Sequence, residues 1–129
     1  MSTFKELGLS DDILRVLEEM EFVSPTDIQQ EAIPQLIGGD RDFIGLAQTG
    51  TGKTAAFGLP LLEMIDPQEK HTQALVLAPT RELGRQIAEQ LGKFSKHVKG
   101  LKVLPVYGGA AIMNQIKDLK KPTHIIIAT

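Results

Sequence analysis

The reactive chemistry of this sequence concentrates in eight residues, Ala47-Gln48-Thr49-Gly50-Thr51-Gly52-Lys53-Thr54. Gly50 and Gly52 permit backbone angles and close approaches that a Cβ would forbid. Successive N–H groups can therefore converge on phosphate oxygens at the positive end of a following helix. Lys53 would supply a cation for the β and γ phosphates, and the Thr54 hydroxyl a ligand for Mg²⁺. The stretch departs from the general pattern G-x-x-x-x-G-K-[ST] at one place, because Ala47 stands where the first glycine is expected. A small residue there still keeps the turn tight.

Three further constellations carry polar groups at suggestive spacing. Thr26 precedes Gln29 by three residues, the spacing of a capping box, so the Gln29 amide would return to the Thr26 N–H. The same carboxamide, an acceptor with donors, also matches the complementary edge of an adenine, and spacing does not choose between the two. Pro79-Thr80-Arg81-Glu82-Leu83 opens a helix with a hydroxyl and a guanidinium, which reads either as an anion site for a nucleic-acid phosphate or as a cap beside a surface arginine. Gly108-Gly109 lets backbone pass close to a ligand or makes a plain turn. His97 and His124 have no Cys or His partners at metal-ligand spacing and read as structural.

The elements that must position these groups follow from periodicity. Ile13, Leu14, Leu17 and Met20 share one helical face, with Ser10 as N-cap, giving a first helix over 11–20. Thr26 opens a second helix, which Pro34 would kink or interrupt and Gly38-Gly39 would end. Phe43-Ile44-Gly45-Leu46 reads as a short buried strand, and the helix after the glycine loop runs from Ala55 to Ile65, kinked at Pro60. Residues 74–78 form a continuous apolar run, expected to be buried on both faces of a parallel sheet, so that strand, helix and strand make a βαβ unit. Leu83, Ile87, Leu91 and Phe94 stripe the next helix. Residues 101–107 read as a third strand, at an edge or a bulge because of Pro105. Ile112, Ile116 and Leu119 mark another helix, and residues 124–128 a fourth strand.

A chain of 129 residues holds at most one domain, and its composition is ordinarily globular. It contains no cysteine, and no apolar run approaches the roughly 18 residues of a membrane span. A soluble cytoplasmic protein with no membrane partner is the expectation. The net charge of −2 conceals an asymmetry: residues 1–42 hold ten acidic and three basic side chains, and residues 43–129 six and eleven. Arg81, Arg85, Lys93, Lys96, Lys99, Lys102, Lys117, Lys120 and Lys121 are either a nucleic-acid surface or solvated helix faces.

Taken together, the motifs resemble one family, the DEAD-box ATP-dependent RNA helicases of bacterial type, over the N-terminal part of their first RecA-like domain. The likeness rests on Phe4 with Leu7-Gly8-Leu9, the run from Phe22 to Gln29 similar to the family's Q motif, AQTGTGKT, Pro79 to Leu83, Gly108-Gly109, and His124 to Thr129. Glu21, Asp27 and Gly84 depart from the residues usual in the family. The resemblance implies an α/β fold: a partial RecA-like P-loop domain, a parallel sheet of about four strands with flanking helices. Residues 1–38 would be a helical Q-motif region and residues 39–129 the partial ATP-binding domain.

The resemblance also implies that Phe4 packs on adenine, Gln29 selects ATP over GTP, and Thr26 supports that element. It implies that residues Ala47 to Thr54 bind the phosphates, with Lys53 catalytic and Thr54 on Mg²⁺. Pro79, Thr80, Arg81, Gly108, Gly109 and Thr129 would lie along an RNA backbone. The sequence stops before the family's Asp-Glu-Ala-Asp motif and second RecA-like domain. Three expectations follow: negligible ATP hydrolysis by this chain, open sheet edges with exposed apolar surface, and possible self-association. Two other readings remain at this point, a DNA helicase or remodeller of the same superfamily and a nucleotide-binding regulatory or interaction module.

Overall fold

The computed structural model describes residues 2–129. A short 3-10 helix, Phe4–Leu7, is closed by a capping box between Thr3 and Glu6 and buries Phe4 and Leu7. Helix α1 (Asp11–Glu19) follows, burying Ile13, Val16 and Leu17 as its apolar stripe requires. Ser10 is its N-cap by backbone geometry, but its hydroxyl makes no capping bond; its N–H instead donates to Glu63 at 2.8 Å.

At the end of α1, Glu21 occupies a position whose geometry favours glycine. The Phe22 N–H donates to the Leu17 carbonyl and the Glu21 N–H to the Glu18 carbonyl, a Schellman pair that puts Glu21 in the left-handed region at φ 60°. Glycine suits that position and glutamate does not. Glu21→Gly is therefore expected to raise stability by about 1 kcal/mol, read by urea denaturation; a variant no more stable than wild type would contradict this account of the turn.

Glu19, at the last turn of α1, takes Lys96 Nζ and His97 Nε2, each at 2.8 Å, from the segment after helix α4 (Arg81–Phe94). The hydrogen bond from Lys96, aided by His97, holds its carboxyl below the ordinary carboxylate pKa, against a smaller desolvation effect. A depressed carboxyl stabilises the fold above its unfolded pKa, and that contribution fades as pH falls through the depressed value.

Helix α2 (Asp27–Gly38) begins on the Thr26–Gln29 capping box, runs through Pro34 without interruption and ends on Gly39 in the left-handed conformation. Helix α3 (Lys53–Met64) starts two residues earlier than sequence suggests and passes through Pro60. It crosses α4 at Gly58, where an added Cβ would lie 2.7 Å from Leu91 Cδ2. Only glycine permits that approach without moving a fully buried leucine. Leu59, Leu91 and Phe94 join Ile13, Leu17 and Ile33 in a core that continues under the sheet to Ile125 and Ile127.

The sheet is parallel and has three strands, β1 (Ala74–Leu77), β2 (Val103–Val106) and β3 (Ile125–Ala128), in the order β1-β3-β2. The expected fourth strand does not form. Phe43 to Leu46 pairs with nothing in the sheet, and Ile44 and Leu46 are 90% and 92% exposed. A strand is a pairing and not a property of its own residues, and β1, the nearest candidate, bonds only β3. The βαβ unit is accordingly the one built from β2, helix α5 (Ile112–Leu119) and β3.

A second correction concerns β1, which was expected to be covered on both faces. Its residues alternate, with Leu77 72% exposed and Ala74 and Val76 half-buried, because one face lacks a covering layer. The expectation of open edges and exposed apolar surface agrees with this. Pro105 sits where a missing N–H is tolerated, since β2 is an edge strand.

His124 is structural, as its lack of partners at ligand spacing suggested. Its Nδ1 accepts from the Lys102 N–H at 3.0 Å, so Nε2 carries the proton and donates to the Pro67 carbonyl at 3.1 Å. The ring joins the starts of β2 and β3 to the loop that follows α3.

Candidate functional site

Gln29 makes the capping bonds that its spacing suggested, and an adenine contact fits the same side chain. Its Oε1 accepts from the Thr26 N–H at 3.0 Å, and its backbone N–H reaches Thr26 Oγ1 at 3.5 Å, which completes the capping box. Its Nε2 donates to the Gly52 carbonyl at 3.2 Å, so the start of α2 is tied to the residue that caps α3. One N–H and one acceptor lone pair remain on the amide. That remainder is complementary to N6–H and N7 of adenine, whereas guanine sets its O6 acceptor where adenine has a donor.

The loop is shaped for close contact. Gly50 and Gly52 have φ of 81° and 83°, and a Cβ at Gly52 would collide with the Gln29 amide nitrogen. Thr51 Oγ1 donates to the Gln48 carbonyl at 2.6 Å and closes the turn. No side chain caps α3. The N–H groups of its first turn are therefore left for a ligand. Lys53 is exposed at the first helical position and Thr54 half-buried at the second.

Gln29, Thr49, Gly50, Gly52, Lys53 and Thr54 line an open groove of about 1140 Å³. Leu75 and Leu77, from the uncovered face of β1, line it as well. Phe22 lines the groove as well, whereas Phe4 does not. Phe4 is buried behind it, ring centroids 6.2 Å apart, and Phe22 meets Phe94 edge-on at 5.9 Å. Phe22 is a candidate ligand contact that the sequence placed at the start of the run similar to the Q motif without giving it a ligand role. Its signal was slight, a single aromatic between Glu21 and Val23.

A phosphate chain fits this loop, on the observation that no side chain caps the first turn of α3 and that Gly50, just before it, has nothing within 4 Å of where a Cβ would stand. For Mg²⁺ the loop offers the Thr54 hydroxyl, and among the described residues no group of three or more His, Cys, Asp or Glu is placed to hold a metal ion. Phosphate oxygens and water would complete the coordination of so small a cation.

The other candidates meet at the opposite end of the chain's logic, the carboxyl edge of the sheet. Pro79-Thr80-Arg81 follows β1, Gly108-Gly109 follows β2, and Thr129 follows β3, so parallel pairing brings three separate sequence positions to one edge. Thr80 caps α4 by accepting from the Leu83 N–H at 3.2 Å. Arg81 Nη1 donates to the Gly108 carbonyl at 3.3 Å, and a Cβ on Gly109, at φ 85°, would strike that guanidinium. Thr129 lies beside Gly84, its Cγ2 3.7 Å from where a Cβ on Gly84 would be.

The basic residues divide. Arg81 and Arg85 belong to the first turns of α4, near that edge, whereas Lys93 ends α4 and Lys102 precedes β2, at the amino edge of the strands. Lys96 is engaged by Glu19. The nine residues are therefore not one surface.

A family model for the DEAD/DEAH box helicase matches residues 26–129. The chain belongs to that family. Over all 129 residues it is 54% identical to the DEAD-box ATP-dependent RNA helicase CshA of Bacillus cereus, and over 128 residues 48% identical to the ATP-dependent RNA helicase DeaD of Escherichia coli. It covers 24% and 20% of those two proteins, so it spans about a quarter or less of the curated relatives it matches.

Among solved structures, a DEAD box protein from the hyperthermophile Methanococcus jannaschii superposes with a TM-score of 0.92 at 41% identity, over 98% of this chain and 34% of that one. Dbp5 of S. cerevisiae, bound to RNA and ADP BeF3, gives 0.88 at 33% identity over 100% of this chain and 32% of its own. The α/β architecture with its parallel sheet and flanking helices is that of the RecA-like domain of DEAD-box helicases. Among the described residues, no helix is long and apolar enough to cross a membrane.

Proposed function

We propose that this chain is the ATP- and RNA-binding segment of an ATP-dependent RNA helicase, a cytoplasmic protein in which ATP hydrolysis drives local unwinding of RNA duplexes. The single observation that carries the reading is the Gln29 Nε2 bond to the Gly52 carbonyl, which joins a base-reading amide to a phosphate-binding loop. In this reading residues 1–38 serve the adenine and residues 39–129 the phosphates and RNA. Gln29 contacts the adenine edge, Thr26 holds Gln29, and Phe4 backs the Phe22 ring beside the base.

Ala47 to Gly52 wrap the phosphates with backbone N–H groups, Lys53 compensates their charge, and Thr54 ligates Mg²⁺. Pro79, Thr80, Arg81, Gly108, Gly109 and Thr129 follow the RNA backbone without reading sequence. The relatives named as RNA helicases and the RNA in the Dbp5 structure favour RNA over DNA. Phosphoryl transfer needs metal placement and charge stabilisation beyond what Lys53 and Thr54 supply, so this chain binds nucleotide with negligible turnover. A second RecA-like domain in the parent protein is the partner that completes the site. The open β1 edge with exposed Leu75 and Leu77 supports self-association of the chain alone.

The test is a titration with fluorescent ADP in Mg²⁺, competed by ATP and GTP. Lys53→Ala is expected to weaken binding about tenfold through loss of one charge-assisted contact. Gln29→Ala is expected to erase the preference for ATP over GTP. Equal competition by ATP and GTP against the wild-type chain would refute the adenine assignment.

A further inference from the structure

A carboxamide outside the motifs controls the shape of the carboxyl-edge cluster. The β2 ladder ends at Val106, which pairs with Ala128, and Tyr107 lies beyond it. Gln115, in the second turn of α5, takes over there. Its Oε1 accepts from the Tyr107 N–H at 3.0 Å, and its Nε2 donates to the Tyr107 carbonyl at 3.0 Å and to the Ala110 carbonyl at 3.5 Å. One side chain thus behaves as a missing strand partner for Tyr107 and grips residues on both sides of Gly108-Gly109.

Two adjacent glycines are the costliest pair to order, since each loses more conformational freedom than any other residue. Without an external tie, the turn would sample many shapes. The turn also fixes Arg81, which donates to the Gly108 carbonyl and occupies the space a Cβ on Gly109 would need. Gln115, the diglycine turn and Arg81 therefore form a chain of hydrogen bonds from α5 to the first turn of α4. Helix α5 itself buries no residue, so its packing does not hold the turn.

We infer that Gln115 is the positioning residue of the RNA-contacting turn, setting Gly108-Gly109 and Arg81 in register to meet adjacent backbone phosphates. The inference rests on the RNA role proposed above for that edge. Gln115 itself makes no contact with RNA in this scheme. Its effect is on RNA affinity and not on nucleotide affinity, because the phosphate loop and Gln29 lie on other elements.

The test compares the full chain with Gln115→Met, which keeps the side-chain volume and removes the amide, and with Met113→Ala, an exposed control on the same helix. Four quantities are read: affinity for a fluorescein-labelled oligouridylate, affinity for fluorescent ADP, the melting temperature, and hydrogen exchange at the amides of Tyr107 to Gly109. Gln115→Met is expected to weaken RNA binding about tenfold and speed exchange at those amides. ADP affinity should be unchanged, and the control should match wild type. RNA affinity within twofold of wild type, or a loss of ADP affinity in parallel, overturns the assignment. A wild-type chain that binds no oligouridylate, with exchange still faster in Gln115→Met, would instead defeat the RNA reading of the edge, and the assignment with it.

Discussion

Gly52→Ala is expected to lower nucleotide affinity about a hundredfold, while Gly50→Ala lowers it about tenfold. Both glycines hold φ near +80°, so alanine at either meets the same backbone penalty of roughly 1–2 kcal/mol. They differ in what surrounds them. A Cβ on Gly50 would find nothing within 4 Å, whereas one on Gly52 would strike the Gln29 amide and come 3.4 Å from Thr26 Oγ1. Gln29 would then have to leave the Gly52 carbonyl, and the base-reading group and the phosphate loop would lose their common anchor. Titration of both variants with fluorescent ADP separates the two terms. Equal losses would show that backbone strain alone matters and that the Gln29 contact does not shape the loop.

The largest stability effect is expected at His124. Replacing it with alanine should cost about 3–4 kcal/mol, measured by urea denaturation. The ring is 1% exposed, and its removal leaves both the Lys102 N–H and the Pro67 carbonyl without their partner. Each unmet buried group costs roughly 1–3 kcal/mol, and the vacated volume adds to that. The backbone around it is equally committed, since the His124 carbonyl accepts from the N–H groups of Gln73 and Ala74. A loss below about 1 kcal/mol would mean that water replaces the ring at little cost, and that the three segments it joins are held by other contacts.

The helices and their ends were legible in the sequence to within a few residues, and so were the motifs. Thr26 with Gln29 and Thr80 with Leu83 signalled their caps because both partners lie three residues apart on one turn. Pro105 signalled an edge because its own chemistry lacks a donor. The sheet was less legible. Phe43 to Leu46 has the composition of a strand and is not one, and the run from Ala74 was expected to be covered on both faces but is open on one.

The hydrogen bonds that make the site were hidden for a related reason. Gln29 was a candidate for a cap or for a base, and nothing within its own helix disclosed Gly52, 23 residues away. Arg81 and Gly108 are separated by 27 residues. Nothing in the spacing of Ile112, Ile116 and Leu119 singled out Gln115 between them.

What the sequence determined by itself about this protein is what neighbours along the chain set: the glycine loop ahead of a helix, the Thr26–Gln29 capping box and the order of motifs that marks a DEAD-box helicase. What only the tertiary structure decided is which of those pieces touch: the β1-β3-β2 strand order, the bond from Gln29 to Gly52, and the gathering of Arg81, Gly108-Gly109 and Thr129 at one edge. The division has a physical cause. Caps and turns are stabilised by groups a few bonds apart, whereas strands, buried polar ties and ligand edges exist only when distant segments supply the complementary partner.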